Sequence, residues 1–496
     1  GRVTVSVSQV VAALEGAGVA VGPVIPADGS VGRMKVAGVQ QDSRRVEPGD
    51  LFVAWSGAVH DAHDYVAGAA AAGAAAAIVE RPVPGASLPQ IQVDNARRAA
   101  AVASGFVAGS PWRDLDVVGV TGTNGKTTTA LLLRSLLAER APSAAIGTLG
   151  VVGPDGRVRE GTEGLTTPGP VQLSRWLSGL ARERVRRVVV ESSSHALDQF
   201  RLDGLRFDVA AFTNLTRDHL DYHGTMESYL AAKARLLELG GTGCAAVINA
   251  DDPAWSGLRP RGTVITYGFG PALLRARGVR MTVRKSSFRL VWHDGRSVPV
   301  TLSLPGRFNI SNALCAAACA LALGYNLNDV CDGLRGAAPI AGRLEPVVRK
   351  PFQVLIDFAH TPDALEQVLA AMRPLVDGRL IVVFGAGGDR DPAKRPAMGA
   401  AVARHADLAV ITSDNPRTED PAAIVAQVSV GVSGCDSVEI VDRREAIHHA
   451  LDAAAPGDTV LLAGKGHETC QVVGTERRPF DERRIVLDHL DAGAAP

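Results

Sequence analysis

The chain has 496 residues, 46% of them apolar and 21% charged, with 52 basic side chains balancing 52 acidic ones. At about 150 residues per domain this length divides into roughly three domains, and the balanced charge excludes a chain built to hold nucleic acid or an acidic membrane. The six cysteines form no C-x-x-C pair, so they read as reduced, mostly buried thiols of a cytoplasmic protein rather than as disulfides or a zinc site. The longest uncharged run near the start, 65–79, is too short to insert in a membrane, and the first residues carry no secretory pattern, with Gly1 reading as a trimmed start.

Residues 1–113 alternate short apolar runs with turns. A strand is expected at 51–53 and an Ala-rich helix at 66–77, followed by Ala-Ile-Val and a Pro-Gly turn. The pointed features here are Gln41-Asp42-Ser43-Arg44 and the polar stretch 57–64, which by themselves read as solvated turns.

The sequence resets near Ser110-Pro111-Trp112, and 114–342 then alternates strand and helix in the manner of a mostly parallel sheet. Its first strand, 117–120, runs into Gly122-Thr123-Asn124-Gly125-Lys126-Thr127-Thr128, and a Leu-rich helix follows. Glycines between a strand and a helix let backbone N–H groups approach a phosphate, the helix start adds partial positive charge, Lys126 adds a full one, and the Thr127 hydroxyl can ligate Mg²⁺. The pattern is the short G-x-x-G-K-T: the first glycine of the long P-loop form would fall at Val120.

Two further strands are expected at 187–190 and 208–213, and their carboxyl ends deliver Glu191 and, a few residues on, His219. Both should face the phosphate loop. A carboxylate there suits Mg²⁺, although a strand-end glutamate equally often caps the next helix. Lys233 falls among alanines on a helix starting near Met226, and spacing alone makes it a solvated side chain. Strands and hairpins are expected at 263–267 and 279–304, with a turn at Asp294-Gly295, and Pro305-Gly306-Arg307-Phe308-Asn309 leads into an apolar helix over 313–323.

The segment 337–343 reads as a linker. Beyond it, strands at 354–356, 380–384, 408–411 and 459–462 end in Asp357-Phe358-Ala359-His360, in 385–391 with Arg390, in Thr412-Ser413-Asp414-Asn415-Pro416-Arg417, and in Gly464-Lys465-Gly466-His467-Glu468. Four charged or Gly-rich loops at four strand ends make a second binding face. The Gly385-Ala386-Gly387-Gly388 run lacks G-x-G-x-x-G and precedes Asp-Pro, which argues against a dinucleotide.

Together these loops resemble the Mur ligase family of peptidoglycan biosynthesis over nearly the full length, and the short TGTNGKTT loop at 121–128 is the family's own form. The resemblance implies an α/β fold of three domains: a nucleotide-sugar domain (1–113), a central P-loop parallel-sheet ATPase domain (114–342) and a Rossmann-like amino-acid-binding domain (343–496). It implies a cytoplasmic ATP-dependent ligase of cell wall biogenesis, cell shape and cell division. The ligase would add meso-diaminopimelate to the D-Glu side chain of UDP-MurNAc-L-Ala-D-Glu through an acyl phosphate.

By the same resemblance, ATP would contact 122–128 with Asn309, Arg343 and Asp357, and the nucleotide-sugar dipeptide would contact Ser43, Thr166, Thr167, Ser193, Gln199, Arg201 and His360. Mg²⁺ would be held by Thr127, Glu191, His219 and a carbamate on Lys233. The amino acid would be held by Arg390, Asp414, Asn415, Pro416, Arg417, Gly464 and Glu468, with the Asp-Asn-Pro-Arg loop favouring diaminopimelate over L-lysine. Lys126, Lys233, His219 and Glu191 would then be the catalytic group. Ser192 departs from the apolar residue usual in relatives.

Three alternatives remain: an L-lysine-adding ligase, a folylpolyglutamate synthetase, and a regulatory or transport NTPase using the central part alone. The Asp-Asn-Pro-Arg loop and the sizeable first domain weigh against the second, and the separate strand-end loops of the last part weigh against the third. The linker at 337–343 is expected to let the last domain close in response to ligands.

Overall fold

The computed structural model describes residues 4–27, 29–57, 60–162 and 164–493; Ala58 and Val59 of the polar stretch at 57–64 lie outside them. Contacts divide the chain into two units, Gly1–Arg275 with Asn312–Gly333, and Ala276–Ser311 with Leu334–Pro496.

Beside the short antiparallel pair Val5–Ser6 and Lys35–Val36, two larger sheets organise the first unit. The smaller has five strands in the order Val21–Ile25, Gln90–Val93, Ala76–Val79, Asp50–Val53, Gly38–Gln40, parallel except for the first pair. The helix expected over 66–77 is shorter: Val66–Ala71 is helical, while Ala76 and Ala77 belong to a buried strand. Gly73, at φ +94°, ends the helix, because a left-handed residue cannot continue it.

Around the phosphate loop, strands Ser143–Gly147, Arg187–Glu191, Asp116–Thr121, Val209–Phe212, Ala245–Asn249 and Val264–Gly268 lie side by side, all parallel. The antiparallel strands Gly150–Val152 and Val158–Glu160 extend one edge. Such strands are apolar almost throughout because helices cover both faces. Asp116–Thr121 is buried beyond its first residue, and Leu132, Leu133 and Leu136 of helix Lys126–Leu137 are buried with it. Each such side chain contributes about 1.5–3 kcal/mol on burial.

In the second unit, Ser286–Trp292 and Ser297–Leu302 form an antiparallel hairpin with Gly295 in the turn at φ +90°, as the Asp-Gly pair predicts. The helix expected at 313–323 spans Arg307–Ala322, so Asn309 lies in its first turn and not ahead of it. Its side chain donates back to Pro305 O at 2.8 Å, which satisfies the carbonyl just before the helix. A six-stranded sheet follows in the order Glu345–Val348, Gln353–Asp357, Thr459–Ala463, Leu380–Phe384, Leu408–Ile411, Asp436–Glu439, parallel except for the first pair.

Among the described residues no helix is long and apolar enough to cross a membrane, and no disulfide joins the cysteines, four of which are buried.

Candidate active site

The phosphate loop takes its shape from backbone positions only glycine tolerates. Gly122 sits at φ +149° and Gly125 at φ +84°, and a Cβ on Gly122 would lie 1.8 Å from Thr213 Oγ1. Gly125 precedes helix Lys126–Leu137 without any side-chain cap, which leaves the first-turn N–H groups directed at the loop. The neighbouring strand end straps the loop down: Asn214 accepts from Thr123 N through its carbonyl (2.7 Å) and from Asn124 N through Oδ1 (2.9 Å). Its amide and the Thr213 hydroxyl both donate to Asn124 O. Lys126 Nζ folds back onto the carbonyls of Gly122 and Thr123, each at 2.9 Å.

Glu191 is buried at the end of its strand, one register step from the loop, because Arg187–Glu191 pairs in parallel with the strand that feeds it. Its carboxylate accepts from Thr127 Oγ1 (2.9 Å), Thr148 N (3.1 Å) and Thr148 Oγ1 (3.2 Å). The helix-cap reading of Glu191 is excluded, since Ser193 caps the following helix Ser194–Asp198.

Lys233 is not the solvated lysine its spacing suggests. It is 1% exposed, its Nζ donates to Gly122 O at 2.8 Å, and it lies 4.5 Å from the centroid of the Tyr229 ring. Burial, reinforced by Lys126, drives its pKa well below the usual lysine range, which favours the neutral amine. Tyr229 also bonds Thr123 Oγ1 (3.1 Å), and its ring centroid is 6.1 Å from that of His219. His219 itself adopts φ +54°, and its pKa is lowered by burial, with Asp218 opposing and Lys126 and Lys233 adding to the effect.

Lys126, Thr127, Glu191, His219 and Lys233 therefore stand around one loop. Among the described residues no three His, Cys, Asp or Glu groups are placed to hold a metal. The oxygen pair Thr127–Glu191 is the hard donor set Mg²⁺ takes, and Lys233 would fit only once its amine carries an anionic group.

Of the residues expected at the dipeptide, Thr166, Thr167, Ser193, Gln199 and Arg201 are linked in one hydrogen-bond network. Thr167 Oγ1 donates to Glu191 O (2.6 Å) and accepts from Ser193 N (3.0 Å), and Arg201 donates to Thr167 O (3.0 Å) and to Gln199 Oε1 (2.7 Å). Thr166 lies beside Thr148 at a long 3.5 Å. Ser43 begins the short helix Ser43–Arg45, and neighbouring Gln41 reaches the chain at Gly169, with its Oε1 buried and unpartnered within the protein.

In the second unit, Asp357 is buried and its carboxylate accepts from Leu344 N (2.9 Å) and Ala359 N (2.8 Å). Burial raises its pKa, with Arg343 opposing. Arg343 lies 5.1 Å over the Phe358 ring, while exposed His360 bonds Phe358 O through Nδ1 (2.7 Å). Asn415 Oδ1 accepts from Lys465 Nζ and Val472 N, both at 2.9 Å, and its Nδ2 donates to Glu468 Oε2 at 3.0 Å. Arg417 takes φ +52°, is held through its backbone to Val472 O and Gly474 N, and donates from Nη1 to Gly388 O at 2.7 Å. Gly387 separates it from Arg390, and Gly464, at φ +119°, lets Asp414 approach where a Cβ would come within 2.7 Å of its carboxylate.

Sequence reasoning missed Thr148, Asn214, Tyr229 and Lys465. Thr148 and Asn214 follow strand ends, the one signal that could have found them. Tyr229 lies one turn from Lys233.

A glycine-shaped loop closed by a helix start, with a threonine hydroxyl on a strand-end carboxylate, defines a P-loop nucleotide enzyme. Family profiles narrow the class: the Mur ligase family catalytic domain matches 35–106, the Mur ligase middle domain 120–320, and the Mur ligase glutamate ligase domain 342–466. The chain belongs to the Mur ligase family. The UDP-N-acetylmuramoyl-L-alanyl-D-glutamate–2,6-diaminopimelate ligase of Geobacter metallireducens is 42% identical over 91% of this chain and 94% of its own. That of Chromobacterium violaceum is 43% identical over 92% and 94%. A solved structure of a ligase of this name aligns over 100% of both chains at 32% identity with a TM-score of 0.71. MurF of Thermotoga maritima, solved with ADP, shares the fold at 18% identity and a TM-score of 0.63 over 92% and 97% of the two chains.

Proposed function

We propose that this ligase uses ATP to join meso-diaminopimelate to the D-Glu side-chain carboxylate of UDP-MurNAc-L-Ala-D-Glu, in the cytoplasm, during peptidoglycan biosynthesis. The carboxylate attacks the γ-phosphorus of ATP, giving an acyl phosphate and ADP. The acceptor amine then attacks the acyl carbon, and phosphate leaves as the amide forms.

For the first step the chain supplies position and charge: loop amides and Lys126 draw the phosphates in, and Thr167, Ser193, Gln199 and Arg201 form a polar wall for the dipeptide beside Glu191. Ser43 and the unpartnered Gln41 Oε1 extend that wall toward the nucleotide sugar. Asn309, Arg343 and Asp357 serve ATP and His360 the dipeptide, in a chain divided at 113 and 342 into three domains. Thr127, Glu191, His219 and carbamylated Lys233 would hold Mg²⁺, which when bound neutralises charge on the transferring phosphoryl group. In its uncharged form, which burial favours, the Lys233 amine can attack CO₂, forming an N–C bond and releasing a proton, so that a group repelling the metal becomes one that binds it.

The observation that carries the choice of acceptor is the loop at 414–417. Its backbone is anchored at Val472 and Gly474, and it presents a half-buried guanidinium beside Arg390. Meso-diaminopimelate differs from lysine by a distal carboxylate, which a planar guanidinium binds through two parallel hydrogen bonds. The test is phosphate release from ATP and the nucleotide-linked dipeptide with diaminopimelate, lysine or glutamate as acceptor. Only diaminopimelate should support rapid release, and preference for lysine or glutamate would replace this reading with a lysine-adding ligase or a folylpolyglutamate synthetase.

A further inference from the structure

Lys465 is a buried cation of the second unit to which the proposed function gives no role. Its side chain is fully buried. Its Nζ donates to Asn415 Oδ1 at 2.9 Å and to Glu468 Oε2 at 3.3 Å, and it lies 3.7 Å from Asp414 Oδ1. These partners come from two loops that follow strands Leu408–Ile411 and Thr459–Ala463. Strand Leu380–Phe384 runs between those two strands, so the loops are not joined by sheet hydrogen bonding.

A second buried cation ties the same loops from below. Arg443 donates to Ser413 O (3.1 Å), Ala463 O (2.9 Å) and Glu482 Oε1 (2.8 Å). Arg443 donates to backbone carbonyls at the strand ends and to a carboxylate outside the loops. Lys465, by contrast, touches the side chains of the loops themselves.

Taking an ammonium out of water is costly unless its partners hold it, so the geometry of this group is strongly specified.

We propose that Lys465 is a positioning residue for the acceptor: from a buried position it fixes Asn415, Asp414 and Glu468 of the two loops in the one arrangement that receives the acceptor. The inference rests on the assignment of these loops to the acceptor. A lysine that only supports the fold would, when replaced, lower thermal stability and leave the three Michaelis constants in their original ratio.

The test begins with the unaltered enzyme. Failure to add diaminopimelate there would remove the acceptor assignment itself, whatever Lys465 does. With that activity in hand, Lys465→Met and Lys465→Gln are assayed by phosphate release against each substrate in turn. The expected result is a rise of about tenfold or more in KM for diaminopimelate, with kcat within about threefold and KM for ATP and the nucleotide dipeptide within about twofold. Adding Glu468→Gln to Lys465→Met should cost much less than it does alone, because the two side chains act as one couple. A loss shared by all three substrates, additive effects in the double variant, or failure of both single variants to fold would overturn the proposal and make Lys465 a structural residue.

Discussion

The phosphate loop and the proposed acceptor loops both gather polar groups at strand ends, by opposite means. The first is seven consecutive residues, 122–128, whose backbone does the binding and whose shape depends on two glycines at positive φ. The second draws on three strand-end loops from Gly387 to Glu468 and depends on side chains that meet only in the folded state: Asn415, Glu468, Lys465 and Arg417. A backbone site is written locally and tolerates little change of conformation. A side-chain site is written across the chain and can be retuned one residue at a time.

The sharpest way to break the comparison is at the phosphate loop, where function should fail outright. Lys233→Ala should be nearly inactive and partly recovered by short carboxylates such as acetate, which replace the missing anion. A fully active variant would return Lys233 to the role of a packed lysine under Tyr229. Glu191→Ala should lower kcat by on the order of 10²–10³, the scale of losing one preorganised electrostatic contact. Thermal unfolding should move little, since the strand on either side is unaltered. Near-normal turnover at low Mg²⁺ would remove Glu191 from the metal site.

The acceptor loops should give a graded and selective response. Arg417→Ala removes a guanidinium that its own loop already orients through Gly388 O. Losing one partner of a buried charge pair costs about 2–5 kcal/mol, and about 1.4 kcal/mol is a factor of ten. Because Arg417 is half-exposed the lower end applies, so kcat/KM for diaminopimelate should fall at least about tenfold while weak activity with lysine stays nearly constant. Equal losses with both acceptors would show that Arg417 supports the loop and does not read the distal carboxylate.

The same contrast explains what could be read from the sequence. The strand-glycine-helix order at 117–137, the strand ends carrying Glu191 and Asp414, and the hairpin turn at Asp294-Gly295 were legible because each signal is local. The helix over 66–77 was overextended because alanine suits both a helix and a buried strand, and Gly73 decided between them. The burial of Lys233 was not legible, since it depends on the phosphate-loop carbonyl of Gly122 arriving from 111 positions away. Lys465 stood in plain view within its loop, but no spacing rule announces that a lysine will be enclosed by three residues, two of them fifty or more positions away.

The smallest expected effect concerns stability, and it separates the regions by pH. His467 packs against Phe358 with ring centroids 5.2 Å apart, and its pKa falls to about 4, chiefly through burial and secondarily through Arg343, with Glu468 opposing. A histidine whose folded pKa is lowered makes the folded state resist a proton that the unfolded chain accepts. Its contribution is therefore complete above the ordinary value of 6.5 and is lost as pH falls from there toward about 4. His467→Phe keeps an aromatic ring against Phe358 and removes the titrating group, so it should unfold in denaturant with a shallower pH dependence than the unaltered chain. The gap between the two should change by on the order of 1–2 kcal/mol between neutral pH and pH 4.5. All other titrating groups are common to both chains, so the difference isolates His467. His195 in the first unit, also lowered to about 4 by burial with His219, His223 and Arg201 adding, remains in both chains as an internal reference. If the two unfolding curves kept a constant separation across this range, His467 would be taking its proton as readily in the folded loop as in water, and its burial beside Arg343 would carry no electrostatic consequence.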